Sequence, residues 1–115
     1  MMRGESVKLD RVFHALADPT RRAVLRRLSR SEAAVTELAA PFAMALPTFL
    51  QHLRVLENSG LVHSKKSGRV RTCHINPQGL GRAEGWMMEQ REIWEQRLDQ
   101  LDHYLTTLKE NPYDI

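Results

Sequence analysis

Large apolar residues recur every seven positions through the last third of this chain, at Leu80, Met87, Trp94, Leu101 and Leu108, and Leu98 and Leu105 fill the intermediate positions of the second half. That spacing keeps one face of an α-helix in register, so it predicts a single long helix from about Gly79 to Leu108. The apolar seam would run about 40 Å at 1.5 Å per residue. Glu84 and Arg91 occupy the earlier intermediate positions, so the seam is continuous only in its second half. The rest of a 115-residue chain makes a body too small to bury such a stripe. A twin helix from a second chain matches it better. Trp86, Trp94 and Tyr104 share helical spacing, which suits core or dimer contacts rather than a cofactor box.

Composition narrows the class. One domain is the expectation at this length, and 42% hydrophobic with 27% charged residues suits a globular fold and excludes a disordered one. No apolar run approaches the ~18 residues of a membrane span, and MMRGESVKLD has no apolar core of a secretory signal. The single cysteine precludes an internal disulfide and suits a reducing cytoplasm. Residues 1–76 hold 13 Lys and Arg against 6 Asp and Glu, a net +7, whereas residues 77–115 hold 4 against 8, a net −4. A basic body with an acidic appendage points to a polyanion, nucleic acid ahead of a membrane surface.

The basic body reads as a succession of short elements. Leu9, Val12, Phe13 and Leu16 form one face of a first helix. Asp18 is a good N-cap and Pro19 a good first residue for a second, reaching about Ser29, which buries Val24, Leu25 and Leu28 and turns Arg21, Arg22, Arg26 and Arg27 outward. A third opens at Thr36. After the aperiodic Phe42-Ala43-Met44-Ala45 a fourth follows, PTFLQHLRVLENSG, with Leu46 as its expected N-cap, Phe49, Leu53 and Leu56 inward, and Gly60 as its stop. Two short helices across a tight turn make a helix-turn-helix. Strand-like runs 61–66 and 69–75 flank a Ser67-Gly68 turn, a hairpin that would set Cys73 opposite Val62, and Asn76-Pro77 ends it.

The segments ALADPTRRAVLRRL, VTELAAPFAMALPTFLQHLRVLENSGLV and KKSGRVRTCHI, in this order over residues 9–76, resemble the winged helix-turn-helix of the ArsR/SmtB transcriptional regulators. The resemblance implies a mainly α fold with a small β-hairpin wing, a DNA-binding domain over residues 1–78, and a dimerisation helix over residues 79–110 of the same compact domain. It implies a homodimer placing two helices in successive major grooves of a pseudo-palindromic operator, with Leu80, Met87, Trp94, Leu98, Leu101, Leu105 and Leu108 at the dimer seam. With Phe49, Leu53 and Leu56 inward, the positions offered to DNA are Leu46, Pro47, Thr48, Leu50, Gln51, Arg54 and, in part, His52. Gln51 suits adenine N6 and N7, and Arg54 suits guanine or a phosphate. Many family members carry Gln or Ser where Leu46 and Leu50 stand, which implies a more apolar readout of thymine methyls. Ala45 replaces the family's usual Ser or Thr, so one capping or phosphate contact is missing. Lys65, Lys66, Arg69 and Arg71 would lie on phosphate, Arg69 being the minor-groove candidate. Repression by promoter occlusion follows from the family, not from the residues.

Metal-sensing relatives carry paired cysteines before the turn or acidic and His ligands on the last helix. Here Thr36-Glu37-Leu38-Ala39-Ala40 has no thiol, and Asp99 with His103 is an incomplete zinc shell that a second chain would have to complete. No cofactor is implied, and any effector is unidentified. His14, His63 and His74 are scattered. No phosphate loop, nucleophile elbow or HExxH pair is present, so catalysis has no visible basis. The competing readings are a metal- or thiol-responsive DNA-binding switch working through Asp99 and His103 or Cys73, and a winged-helix protein-interaction module that has lost DNA.

Overall fold

The computed structural model describes residues 3–110. They fall into two compact units divided between Ala83 and Glu84.

The first unit begins with helix α1, Arg3–Leu16, and α2, Pro19–Leu28. Asp18 caps α2 as its sequence position predicts: its carboxylate accepts from the Arg21 N–H at 3.0 Å while its own backbone is extended. Ser29 is the C-cap, one residue beyond the helix. A two-residue strand, β1 (Ala33–Ala34), leads into α3, Val35–Ala39. The N-cap of α3 is Ala34, not the region of Thr36. Glu37 reaches back to the Ala34 N–H at 3.4 Å, and that half of a capping box fixes the start two residues early.

Helix α4 is Leu46–Asn58, and its N-cap is Ala45 rather than Leu46. The Ala45 carbonyl already accepts the Phe49 N–H at 3.1 Å, which draws Leu46 into the first turn despite the proline after it. Gly60, with φ +80°, takes the left-handed conformation that ends the helix, and the Leu61 N–H returns to the Leu56 carbonyl at 3.1 Å.

The wing is β2 (Val62–Ser67) and β3 (Val70–Ile75), antiparallel, and β1 adds a third strand on the other edge of β3. Ser67 pairs with Val70, so the turn residues are Gly68-Arg69 rather than Ser67-Gly68. Gly68 has φ +62° and Arg69 is not in the left-handed region, the glycine-first pattern of a type II′ hairpin turn. Cys73 therefore faces Ser64, not Val62, and lies opposite Ala33 on its other side. The slip is two residues, so every side chain keeps the face that the alternation assigned to it.

The core gathers one face from each element: Val12, Ala15, Val24, Leu28, Leu38, Phe49, Leu53, Leu56, Leu61, Val62 and Cys73 are buried together. Helix α5 runs Pro77–Glu110, two residues longer than expected at each end. Asn76 organises its start. The Asn76 side chain accepts from the Gln78 N–H at 3.2 Å and donates to the Gly60 carbonyl at 2.8 Å. Gly79 then passes so close to Gly60 that a Cβ would lie 2.2 Å from the Gly60 carbonyl oxygen. In the second unit, from Glu84 on, α5 carries an Arg91–Glu95 ion pair at 2.9 Å and the Arg97 guanidinium 6.0 Å from the Trp94 ring centre.

Gly79→Ala should destabilise the fold by about 1–3 kcal/mol, because backbone rather than a flexible side chain must yield. Gly81→Ala, where a Cβ meets nothing within 4 Å, should be neutral or slightly stabilising. Urea denaturation of the two variants measures the difference; equal midpoints would contradict the close approach.

Candidate nucleic-acid interface

Three inward side chains set the orientation of α4. Phe49, Leu53 and Leu56 are buried, which leaves Leu46, Pro47, Thr48, Leu50, Gln51 and Arg54 exposed along the opposite face. Phe49 also meets the Phe42 ring, centroid to centroid 5.6 Å, so the turn before α4 is fastened to the helix it precedes.

A polar clamp fixes the same helix from the other side. Arg21 is not on an outward face: it is 9% exposed, and its guanidinium donates from Nε to the Ala15 carbonyl at 2.9 Å and from Nη2 to the His14 carbonyl at 2.9 Å. These are C-terminal carbonyls of α1, beyond the intrahelical ladder, and the His14 carbonyl also accepts the Ala17 N–H at 3.2 Å. The neighbouring Arg22 does the same for the Leu16 carbonyl at 2.9 Å. Arg21 Nη1 lies 3.1 Å from His52 Nδ1, and Asp18 Oδ2 lies 3.7 Å from the same nitrogen. His52 is thus turned toward α1 and α2 and is only half-exposed, which removes it from the open face of α4. Burial pushes the Asp18 carboxyl upward. The Arg21 N–H and the charges of His52 and Arg21 outweigh that and hold it below the ordinary carboxylate value.

The wing carries the cations that the sequence placed near its tip. Lys65, Lys66, Arg69 and Arg71 are exposed, and among the described residues the first three have no ion-pair partner. Arg71 differs: its Nε donates to Ser64 Oγ at 2.8 Å and its Nη2 reaches Glu57 Oε2 at 3.5 Å, tying β3 to α4. Glu57 Oε1 is buried with no hydrogen-bond partner among the described residues. Leu50, Leu53, Arg54, Glu57 and Arg71 line a cleft of about 250 Å³ between helix and wing. At the base of the sheet His74 Nδ1 and Glu32 Oε2 are 3.0 Å apart, and Arg27 pairs with Glu37 at 3.8 Å. Some of the second-helix arginines are therefore structural.

Of the expected seam on α5, Leu80, Met87, Trp94, Leu98, Leu101, Leu105 and Leu108 are all exposed, Trp94 at 61% and Leu98 at 60%. Trp86 and Ile93 are exposed as well, away from the side of the helix that carries Glu84 and Arg91. Asp99 and His103 are exposed on the same helix, and among the described residues no group of three His, Cys, Asp or Glu side chains could hold a metal ion. Cys73 is completely buried. Burial, and then the Glu57 charge, push its thiol upward, so little thiolate is available.

Sequence reasoning missed the Arg21–His52 clamp, because its four outward arginines were assigned by helical period alone. The signal was present in the short Ala-Asp-Pro-Thr link, which folds α2 back beside the end of α1 and brings an arginine near its free carbonyls.

Asp18→Ala should cost about 1 kcal/mol at neutral pH, the usual worth of an N-cap. Because the folded carboxyl titrates below its unfolded value, its contribution is present above the ordinary carboxylate range and is lost as pH falls through the folded value. The gap between wild type and variant in urea midpoints should therefore narrow below about pH 4; a gap that widens would contradict the assignment. A thiol reagent should label Cys73 only after denaturant is added, and rapid labelling of the native protein would contradict its burial.

The model for a helix-turn-helix domain matches residues 16–65. The HTH-type transcriptional regulator Rv2034 of Mycobacterium tuberculosis is 42% identical over 71 residues, covering 62% of this chain and 66% of that regulator, just under two thirds of its length. An uncharacterised HTH-type transcriptional regulator of Bacillus subtilis, YuzN, is 36% identical over 86 residues, covering 68% of this chain and 94% of that one. The crystal structure of the ArsR family transcriptional regulator RHA00566 is 54% identical, covers 78% of this chain and 93% of its own, and superposes with a TM-score of 0.76. Identity, coverage and the order of helix-turn-helix, wing and long terminal helix agree: the chain belongs to the ArsR family of winged helix-turn-helix transcriptional regulators.

Proposed function

We propose that the protein is a sequence-specific DNA-binding regulator, working as a homodimer in the cytoplasm and repressing by occupying a promoter. The observation that carries this reading is the face of α4. A helix clamped on its other sides presents Thr48, Gln51 and Arg54 beside the apolar Leu46 and Leu50, next to a wing with three cations unpaired among the described residues. The major groove admits one helix and displays a different pattern for each base pair. In this reading Gln51 bonds adenine, Arg54 reaches guanine or a phosphate, and Leu46, Pro47 and Leu50 pack on thymine methyls. Thr48, in the first turn, meets backbone phosphate.

Lys65, Lys66 and Arg69 lie along phosphates, with Arg69 at the turn entering the minor groove. Arg71 and His52 take positioning roles, holding wing and helix in one frame. Residues 1–78 form the reading body and residues 79–110 the dimerising helix, whose exposed apolar face is the surface a second copy covers. No helix of the described residues is long and apolar enough to cross a membrane. Fold and family point to a non-enzymatic protein, and the proposed role needs no catalysis and no metal.

Binding to the DNA upstream of its own gene, followed by footprinting, tests this directly. Affinity should fall steeply between two salt concentrations, and protected half-sites should lie about one helical turn apart. Gln51→Ala and Arg54→Ala should each cost about 1–3 kcal/mol of specific binding, whereas Arg69→Ala should weaken all sequences alike and lower the salt slope by about one. Leu50→Gln should change the preferred site. Leu101→Asp should leave a monomer in sedimentation and abolish specific binding. A protein that stays monomeric and leaves its upstream DNA unshifted at low salt would overturn the reading.

A further inference from the structure

A second cleft, of about 310 Å³, opens between α2, α3 and the turn that follows α3. Its floor is apolar: Val24 and Leu38 are buried core residues, and Pro41 and Phe42 complete it. Arg26 and Arg30 stand at its rim. Arg27 and Glu37 also line it, but they are paired with each other at 3.8 Å, and Arg27 donates to the Ser31 carbonyl at 3.1 Å as well, so this carboxylate leaves Arg26 and Arg30 as the uncompensated charges. Arg26 and Arg30 are exposed, and among the described residues neither guanidinium has a carboxylate or hydrogen-bond partner. Apolar floor and unpaired planar cations are complementary to one ligand chemistry, an apolar body ending in a carboxylate that a guanidinium binds by two parallel hydrogen bonds.

We propose that this cleft is an effector site for a small organic acid, with the hydrocarbon part against Leu38, Pro41 and Phe42 and the carboxylate between Arg26 and Arg30. The volume sits at the low end for ligand pockets and suits a single ring or a short chain. Two routes couple the site to α4. Phe42 forms the floor and its ring lies 5.6 Å from Phe49, the first inward anchor of α4, so a ligand packed on Phe42 bears on the seat of that helix. A bound anion also cancels positive potential on the basic body. Both effects oppose an incoming polyanion, so occupancy weakens DNA binding and, by linkage, DNA weakens ligand binding by the same factor. The regulatory part of this proposal rests on the DNA-binding reading above; the ligand-binding part does not.

The test uses phenylacetate and hexanoate as probes and phenylacetamide as the uncharged control, added to full-length, isotope-labelled protein. Both acids should shift the amide resonances of Ala23, Leu38 and Phe42 saturably at millimolar concentration, and the amide should bind at least tenfold more weakly. Arg26→Gln combined with Arg30→Gln should lower affinity for the acids at least tenfold while leaving the thermal midpoint and the remaining spectrum unchanged, since both side chains are exposed. At saturating phenylacetate the protein's affinity for its upstream DNA should fall several-fold, and in the double variant the acid should have no effect. Three results would overturn the proposal: no saturable shift with either acid, equal binding of acid and amide, or unchanged binding to the double variant. If the double variant loses DNA affinity and no acid binds, the two arginines serve phosphate instead, and the effector site is refuted. Acid binding without any DNA binding would refute the DNA-binding reading and the regulatory coupling alone.

Discussion

A guanidinium that is only 9% exposed must find partners for its donors, and in this protein those partners join three helices. Arg21 is anchored on α2, its Nε and Nη2 satisfy the last carbonyls of α1, and its Nη1 meets His52 on α4. Each contact resolves a second problem. Helix ends leave carbonyls without donors, and Arg21 and Arg22 supply them to His14, Ala15 and Leu16. A buried cation needs compensating negative potential, and the C-terminal dipole of α1 with the Asp18 carboxylate supplies it. Removing the arginine would take this partner from the Ala15 carbonyl and from His52 in a poorly solvated place, so the cluster behaves as a unit rather than as separable bonds.

That clamp explains why the outer face of α4 is free to read something else. Phe49, Leu53 and Leu56 hold the helix by shape, and His52 holds it by hydrogen bonding. Its outward side chains are left exposed. The wing repeats the division. Arg71 is tied to Ser64 and Glu57 and keeps strand and helix together, while Lys65, Lys66 and Arg69 stand without partners among the described residues. On the wing, the cation that ties strand to helix is paired, and the three nearer the turn are without ion-pair partners among the described residues. The net +7 of residues 1–76 understates this sorting, because some of that charge, at Arg21, Arg27 and Arg71, is already neutralised or capped.

Much of this was legible in the sequence because it rests on period and punctuation. Asp18-Pro19 marked a cap, Phe49, Leu53 and Leu56 marked an inner stripe, and the Leu80-to-Leu108 repeat marked the long helix. The turn frame was not legible. Ser67-Gly68 and Gly68-Arg69 differ by a two-residue slip that leaves alternation intact, and only the positive φ of Gly68 in the first turn position separates them. Strand β1 is two alanines, too short for any period and visible only through its pairing with Thr72 and Cys73. The placement of Arg21 depended on where the end of α1 lies in space. The exposed positions of α4 were found by subtracting the inward ones; His52, expected to be outward only in part, is part-buried because its ring bends toward a partner that the periodicity cannot see.

The second unit poses a different physical problem, because most of its large apolar side chains among the described residues stay exposed. Trp94, Leu98, Leu101 and Leu105 are each more than half exposed along successive turns. Fully burying one such side chain is worth about 1.5–3 kcal/mol, so covering the half of each that is still exposed along the whole stripe is comparable with the association cost of two chains. The occupant must be apolar along about 40 Å of helix and must tolerate Glu84 and Arg91 within its own footprint. A second copy of the same helix meets both conditions, since its seam has the same length and its charged positions can lie opposite one another. In the proposed dimer the acidic remainder of α5 stays outside the seam, so the negative charge of residues 77–115 is carried on the part of the chain that joins the protomers, leaving the cationic surfaces of the two bodies to act on one duplex.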